Sequence, residues 1–278
     1  GFVDEEEITN SPARDLGELL AEENIGAVRQ QPGSLTTVGI RGFRTESHGN
    51  DLQGKVLILL NGRRAGTGNA AQVATENIER VEIIRGPASV QYGSAAIGGV
   101  INVITKQGRG APSGFVKGRL GSYGYEKTAA GMSGAIDGFD FSAAVSRSSR
   151  DDYDTGDGTE YENTGYDSKD RGSLNLGYEF LPHNRVSLIY SGFDADSVGS
   201  PNMIEAIDPN TSIDMRNESI DFVYDGSTRD AEWSWKARYF IGRDEYDYKD
   251  PSYPYERRTD QQGAQAQVSW NPGQYRLT

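Results

Sequence analysis

From Gly114 onward, apolar and polar residues alternate with a period of two. In "EWSWKARYFIG" the residues Trp233, Trp235, Ala237, Tyr239 and Ile241 share one face, and Ser234, Lys236 and Arg238 share the other. The split recurs. Phe139, Phe141, Ala143 and Val145 alternate with Asp140 and Ser142, and Leu174, Leu176, Tyr178 and Phe180 with Ser173, Asn175, Gly177 and Glu179. Ile220, Phe222 and Tyr224 alternate with Asp221 and Asp225, and Ala264, Ala266, Val268 and Trp270 with Gln265, Gln267 and Ser269. About eight half-apolar strands are expected. Short turns at "IDGF", "LPHNR", "DGSTRD" and "NPGQ" take turns with long polar loops near 150–170, 194–217 and 243–261, after a shorter first interval at "GSYGYE". Short connections on one side, long ones on the other and aromatic residues at strand ends are the pattern of an outer-membrane barrel. A soluble β-sandwich also alternates, but it does not require loop lengths to alternate so regularly.

Residues up to about 110 follow a different, mixed α/β pattern. Leu16, Leu19 and Leu20 recur at helical spacing over "ARDLGELLAEE", with Ser11 and Pro12 read as cap and first turn and an end near Asn24 to Gly26. "KVLILLNG" is a continuously apolar strand closed by Asn-Gly, as expected for burial on both faces. "IERVEIIRG" and "GGVINVITK" supply two more strands. The chain therefore divides into residues 1–110 and 111–278.

Composition narrows the function. Over 278 residues, 28 Lys and Arg stand against 41 Asp and Glu, a net charge of −13 that argues against a nucleic-acid partner. With no cysteine there is neither a disulfide framework nor a thiolate zinc site, and the two histidines, His48 and His183, lie far apart. No Ser/His/Asp constellation can be assembled from them, so catalytic residues are not expected and the chain is read as no enzyme. No stretch approaches the ~18 consecutive apolar residues of a transmembrane helix, which leaves barrel strands open. "GFVDEEEITN" has neither a basic n-region nor an apolar h-region, as expected once any signal peptide has been removed.

The stretch "VEIIRGPASVQYGSAAIGGVINVITK", residues 81–106, has the strand and glycine-rich turn of a phosphate site. Its glycines, Gly86, Gly93, Gly98 and Gly99, fit neither G-x-G-x-x-G nor the P-loop, in which Val100 would stand at the lysine. β-branched residues follow Gly99, so the turn opens into a strand and offers no helix N-terminus to an anion.

Together "IRGF" (40–43), "VLILLNGRR" (56–64), "IERVEIIRGPASVQYGSAAIGGVINVITK" (78–106) and the alternating strands resemble the TonB-dependent outer-membrane receptors and transporters. The resemblance implies an α+β plug domain inside a transmembrane antiparallel β-barrel of roughly 22 strands. About eight strands would enclose only side chains or one small ligand, so the chain is expected to be a fragment whose barrel is completed elsewhere. Nothing ahead of Ile8 resembles the Ton box that family members carry.

Further expectations follow from the resemblance alone. Plug loops face the ligand, which points to Gln31, Pro32, Ser34 and Leu35 in "RQQPGSLTT", where the loops are somewhat similar to those of cobalamin transporters. A second loop, "GTGNAAQ", offers Gly66, Thr67, Gly68 and Asn69, glycines for close approach and polar groups for orientation. Ordinary polar turns are the alternative for both. Arg41 and Arg85 are expected to pair with acidic residues of the barrel wall and lock the plug, against the alternative of solvated arginines. The acidic loop at 150–170 matches a calcium loop of cobalamin transporters at Asp154 and Glu162 but departs from it at Thr164; solvated acidic surface is its alternative. No cofactor is required beyond such a structural calcium. The expected function is TonB-dependent active uptake of a scarce bulky nutrient, cobalamin or a ferric siderophore, across the bacterial outer membrane. Expected partners are TonB with its inner-membrane energising complex, the small-molecule metal chelate or cobalamin, and outer-membrane lipid, with no nucleic acid. A surface receptor or adhesin, or a passive channel, is the alternative.

Overall fold

The structure is a computed structural model and describes residues 1–31, 34–48, 51–203 and 206–272. The first unit runs β1 (Phe2–Val3), α1 (Glu5–Asn10), α2 (Leu16–Glu22), β2 (Ala27–Gln31), β3 (Leu35–Ile40), β4 (Phe43–Arg44), β5 (Val56–Leu60), β6 (Arg63–Arg64), β7 (Ile78–Arg85), α3 (Ser89–Tyr92) and β8 (Gly99–Thr105). Its main sheet has the order β1-β7-β8-β5-β6, with β5 parallel to β8 and the other pairs antiparallel. β5 is buried on both faces, as its unbroken apolar run implies. Val56, Ile58 and Leu60 pack with Leu16, Leu19 and Leu20 of α2, while Leu57 and Leu59 meet Ala95, Ala96 and Val100 on the other side.

The start of α2 differs from the sequence reading. Asp15, not Ser11, is its N-cap and accepts from the Glu18 N–H; Ser11 instead ends α1, a separate short helix closed by an Asp4–Glu7 capping box. A carboxylate directly before the first apolar position is the better acceptor for that orphan N–H. The glycines at 98 and 99 serve close approach inside the unit: a Cβ on Gly98 would overlap Phe43, and Gly99 has φ +154 with the Ile84 carbonyl against it.

The second unit is β9 (Ser113–Leu120), β10 (Glu126–Ile136), β11 (Phe139–Arg150), β12 (Tyr153–Asp154), β13 (Glu160–Tyr161), β14 (Tyr166–Leu181), β15 (Asn184–Gly199), β16 (Asn202–Met203), β17 (Ala206–Ile207), β18 (Ser212–Ser227), β19 (Trp233–Lys249) and β20 (Tyr255–Trp270). Eight of these form one antiparallel sheet in the order β20-β19-β18-β15-β14-β11-β10-β9. β12–β13 and β16–β17 are small hairpins within the long connections. The polar stretches read as loops at 194–217 and 243–261 are largely strand, since β15, β18, β19 and β20 continue through them in register. Backbone ladders form whatever the side chains are, so hydropathy marks where the apolar band ends and not where the strand ends.

The direction of each face separates a barrel wall from a sandwich. Val145, Phe222, Tyr239 and Val268 are 61, 54, 48 and 67% exposed, whereas the alternate positions Ser142, Asn175, Asp221 and Arg238 are buried against the first unit. The apolar face points out and the polar face points in, the reverse of a soluble protein and the arrangement lipid demands.

Plug and wall are accordingly joined by polar contacts. Arg63 of β6, fully buried, donates from Nε to Asp221 Oδ1 at 2.6 Å and from Nη2 to Ser219; Arg238 lies 3.8 Å from the same carboxylate and Phe240 stacks on the Arg63 guanidinium. Lys127 pairs with Glu76, the Ser142 hydroxyl donates to Asn77, and the Asn175 amide donates to the Lys106 carbonyl at 3.0 Å. At the long-loop end an apolar seam adds to these, with Leu35 packed among Phe193, Ile213, Met215 and Tyr246.

Breaking the Arg63–Asp221–Arg238 group from one side should be costly, because it strands two buried guanidinium groups. In the full-length protein Asp221→Asn is expected to lower the stability of the docked plug by about 3 kcal/mol, read as a shift in the urea transition. Replacing all three by apolar residues of similar size should recover most of that loss. A shift under about 1 kcal/mol for Asp221→Asn would mean the arginines find other acceptors.

Candidate ligand site between plug and wall

At the long-loop end a pocket of about 320 Å³ opens between the two units. The plug contributes Arg14, Asp15, Glu18, Gln30, Gln31, Ser34 and Thr36, and the wall contributes Tyr125, Ser148, Arg150, Tyr166, Lys169 and Arg171, with Tyr153 from the loop after β11. Each side chain arrives by simple rules. Lys169 and Arg171 are two apart on the inward face of β14, so both point at the plug. Gln31 and Ser34 flank the turn between β2 and β3, where Ser34 takes φ +52.

The site is a concentration of positive charge in an acidic chain. Lys169 and Arg171 are buried; Lys169 Nζ lies 3.8 Å from the Tyr166 ring centroid, and Arg150 stacks on both Tyr153 and Tyr166. Arg150 donates from Nη2 to the Thr164 carbonyl and Arg171 from Nη2 to the Ala71 carbonyl. The Nε of each has no partner, and among the described residues none of the three cations forms an ion pair. Arg14 alone is neutralised, by Glu18. Asp15 caps α2 at the pocket edge, where burial and the neighbouring Glu18 push its carboxyl above the ordinary range. Buried basic groups held outside ion pairs, and outnumbering the carboxylates beside them, are unfavourable unless something negative joins them.

The mouth of the pocket is built by one aspartate. Asp152 accepts from the backbone N–H groups of Asn163, Thr164 and Gly165, at 2.8, 2.6 and 2.7 Å, folding the 151–165 loop back so that Tyr153 overhangs the cations. Partial burial pushes its carboxyl up, but these three donors outweigh that and hold it below the usual carboxylate range.

Of the sequence-derived candidates, Gln31 and Ser34 line this pocket, and Leu35 sits beneath it in the apolar seam. Pro32 lies outside the described residues. Gly66, Thr67, Gly68 and Asn69 are placed differently from the expectation of a ligand-facing loop: all four are buried. Asn69 accepts from the N–H groups of Thr36 and Ala71 and donates to the Ser34 carbonyl, so its amide braces the β2–β3 turn from below. Gly66 is pressed against Gln261 of the wall, leaving no room for a Cβ. Arg41 and Arg85 are exposed, and among the described residues neither forms an ion pair with the wall, whereas Arg63 pairs with Asp221 of β18. Asp154 and Glu162 are exposed, and among the described residues no group of three or more His, Cys, Asp or Glu could hold a metal.

Sequence reasoning missed Arg14, Arg150, Lys169 and Arg171. The readable signal was the spacing of Lys169 and Arg171, two cations on the polar face of a strand whose other face is Leu174, Leu176 and Tyr178.

Comparison with known proteins agrees with this architecture. Residues 2–100 match the family model described as TonB-dependent Receptor Plug Domain. The ferrienterobactin receptor of Escherichia coli is 34% identical over 126 residues, covering 38% of this chain and 16% of that protein. The vitamin B12 transporter BtuB of Photobacterium profundum is 34% identical over 140 residues, 48% of this chain and 22% of the relative. Among solved structures, the copper transporter OprC superposes with a TM-score of 0.71 at 17% identity, covering 94% of this chain and 41% of that one. The alcaligin outer-membrane receptor FauA of Bordetella pertussis gives 0.71 at 14%, with 95 and 42% covered. The chain spans 15 to 26% of the length of the curated relatives it matches. A plug domain matched over residues 2–100, joined to an antiparallel wall whose apolar face points outward, gives the chain the architecture of the TonB-dependent outer-membrane receptors to which it is similar.

Proposed function

We propose that the full-length protein takes up a bulky anionic metal chelate, foremost a ferric siderophore of the catecholate class, by transport energised through TonB. The observation that carries this reading is the cluster of Arg14, Arg150, Lys169 and Arg171 beside three tyrosines at the long-loop end, where basic side chains outnumber the two carboxylates, Asp15 and Glu18, that share the pocket. Guanidinium groups offer bidentate donors to chelate oxygens, and tyrosine faces stack on catecholate rings. Relatives named as ferric enterobactin receptors favour the same class. The vitamin B12 relative keeps cobalamin as a second reading, but a corrin has no excess of negative charge to match three cations. Plug residues docked against the inward face of the wall, through Arg63–Asp221, Lys127–Glu76 and Asn175–Lys106, speak against a passive channel.

The test is a titration of full-length protein with ferric enterobactin and with cyanocobalamin, with and without calcium, paired with uptake in cells that have or lack TonB. Ferric enterobactin should bind more tightly, and its uptake should vanish without TonB. Tighter cobalamin binding, or uptake that persists without TonB, overturns the reading.

Two changes probe the pocket. Arg150→Gln with Arg171→Gln should weaken ferric enterobactin about 10- to 100-fold, the loss of one or two charge-assisted bonds, and leave cyanocobalamin unaffected. Asp152→Ala should release the loop that carries Tyr153 and weaken binding about 3- to 10-fold with the barrel intact. Because the Asp152 carboxyl is held low, its ordering of the loop is complete above the ordinary carboxylate range and fades as pH falls through the depressed value. Tyrosine fluorescence reporting the loop should therefore be flat near neutrality and change only under strong acid.

A further inference from the structure

Lys169 differs from the arginines that share its pocket, because a lysine can shed its charge by losing a proton and an arginine cannot. Its side chain is 7% exposed on the inward face of β14, and its cross-strand partners, Ser148 and Ala195, are uncharged. Among the described residues no hydrogen bond or ion pair reaches its Nζ, which lies over the Tyr166 ring. Toward the long loops the outward positions of β14 pass from Leu174 to Gly172 and Asp170, and Asp170 is flanked across the strands by Arg147 and Asp194. Lys169 therefore stands beyond the apolar band.

The charges around it come from three elements. Arg171 follows on β14, and Arg150 ends β11. Arg14, Asp15 and Glu18 come from the start of α2, where Arg14 and Glu18 neutralise each other. Tyr125, Tyr153 and Tyr166 border the same space, and the β2–β3 residues of the pocket are uncharged. Lys127 on the neighbouring strand is matched by Glu76. With those two pairs set aside, three cations face one carboxylate, Asp15, which already caps α2. Burial, and after it the Arg171 guanidinium, push the Lys169 ammonium well below its ordinary range against the pull of Asp15. An unpartnered amine costs less to bury here than an unpartnered ammonium.

We propose that Lys169 is an uncharged amine in the empty pocket and becomes an ammonium when an anionic chelate binds, its lone pair taking a proton from solvent. The inference rests on the anionic-chelate reading given above and adds the regulation of that site by pH. The third cation then exists only when an anion is there to hold it, so a ligand without negative charge meets a less basic pocket. Binding tightens as pH falls from the ordinary lysine range of the occupied site toward the depressed value of the empty one, by up to about tenfold per pH unit. Below that value Lys169 is charged with or without ligand, and the dependence ends.

Isothermal titration calorimetry of the full-length protein with ferric enterobactin, at about pH 8 in buffers of different ionisation enthalpy, counts the protons exchanged. About one proton should be taken up per ligand bound. Lys169→Arg keeps its charge at every working pH, so it should abolish the uptake and flatten the affinity between about pH 7 and 9. Asp15→Asn can still cap α2 and should leave the uptake in place. Heat-modifiable migration checks that each variant is folded. If Lys169→Arg is not, the unaltered protein decides: uptake that extends to about pH 9 belongs to the lysine, and uptake confined below about pH 7 belongs to the Asp15 carboxyl. Ferric enterobactin binding without proton uptake, uptake that persists in Lys169→Arg, or uptake confined to the lower range overturns the proposal and leaves the proposed function standing. No binding of ferric enterobactin at any pH overturns the proposed function, and this inference with it.

Discussion

A sheet that faces lipid on one side must put its polar residues on the other, and everything inside the curve of that sheet has to meet them. The plug is therefore held to the wall by the kind of contact that soluble cores avoid. Arg63 reaches Asp221, Lys127 reaches Glu76, and Asn175 reaches a backbone carbonyl, whereas the apolar seam around Leu35 is confined to the loop end. Polar contacts of this sort add little net stability when made and are costly when left half-made. They define one docked position sharply without gluing the plug in place.

The same constraint fixes strand register. Because the two faces are opposites, a slip of one residue would turn Asp221 and Arg238 to lipid and Phe222 and Tyr239 to the plug. That is why period-two alternation made the wall legible in sequence, down to its eight strands and the side with short turns. What hydropathy could not mark was the part of each strand beyond the apolar band, where the outward faces of β18, β19 and β20 become charged and the sequence reads as loop. The motifs at 40–43, 56–64 and 78–106 located the plug because they hold the strands and glycine turns of its core, β5 above all with its unbroken apolar run. They were less informative about the site, because the wall supplies three of its four basic side chains. Gln31 and Ser34, singled out from the resemblance, line the pocket, but their neighbours Arg150, Lys169 and Arg171 come from strands more than a hundred residues away, and only pairing brings them together. Asn69 misled for a related reason: a polar residue in a glycine-rich loop looks available, yet here its amide is fully engaged beneath the turn it supports.

How the ligand site and the plug communicate follows from which atoms they share. Arg171 lines the pocket with its unpartnered Nε and grips the plug with Nη2, through the Ala71 carbonyl. Ala71 also receives the Asn69 side chain at its N–H, and Asn69 in turn holds the Ser34 carbonyl at the pocket floor. On the proposed function, an anion drawn to Arg171 competes for the guanidinium that ties the wall to this loop. The perturbation then passes through two hydrogen bonds into the β2–β3 turn, without any movement of the wall. Arg63 stands apart from this relay. It is sealed between Asp221, Ser219 and Phe240 and touches no pocket residue, so ligand binding can loosen the upper plug while the lower anchor stays closed. On the proposed function, two attachments of different accessibility, one exposed to ligand and one buried from it, would let occupancy be signalled first and the lumen be opened only when force is applied from the other side.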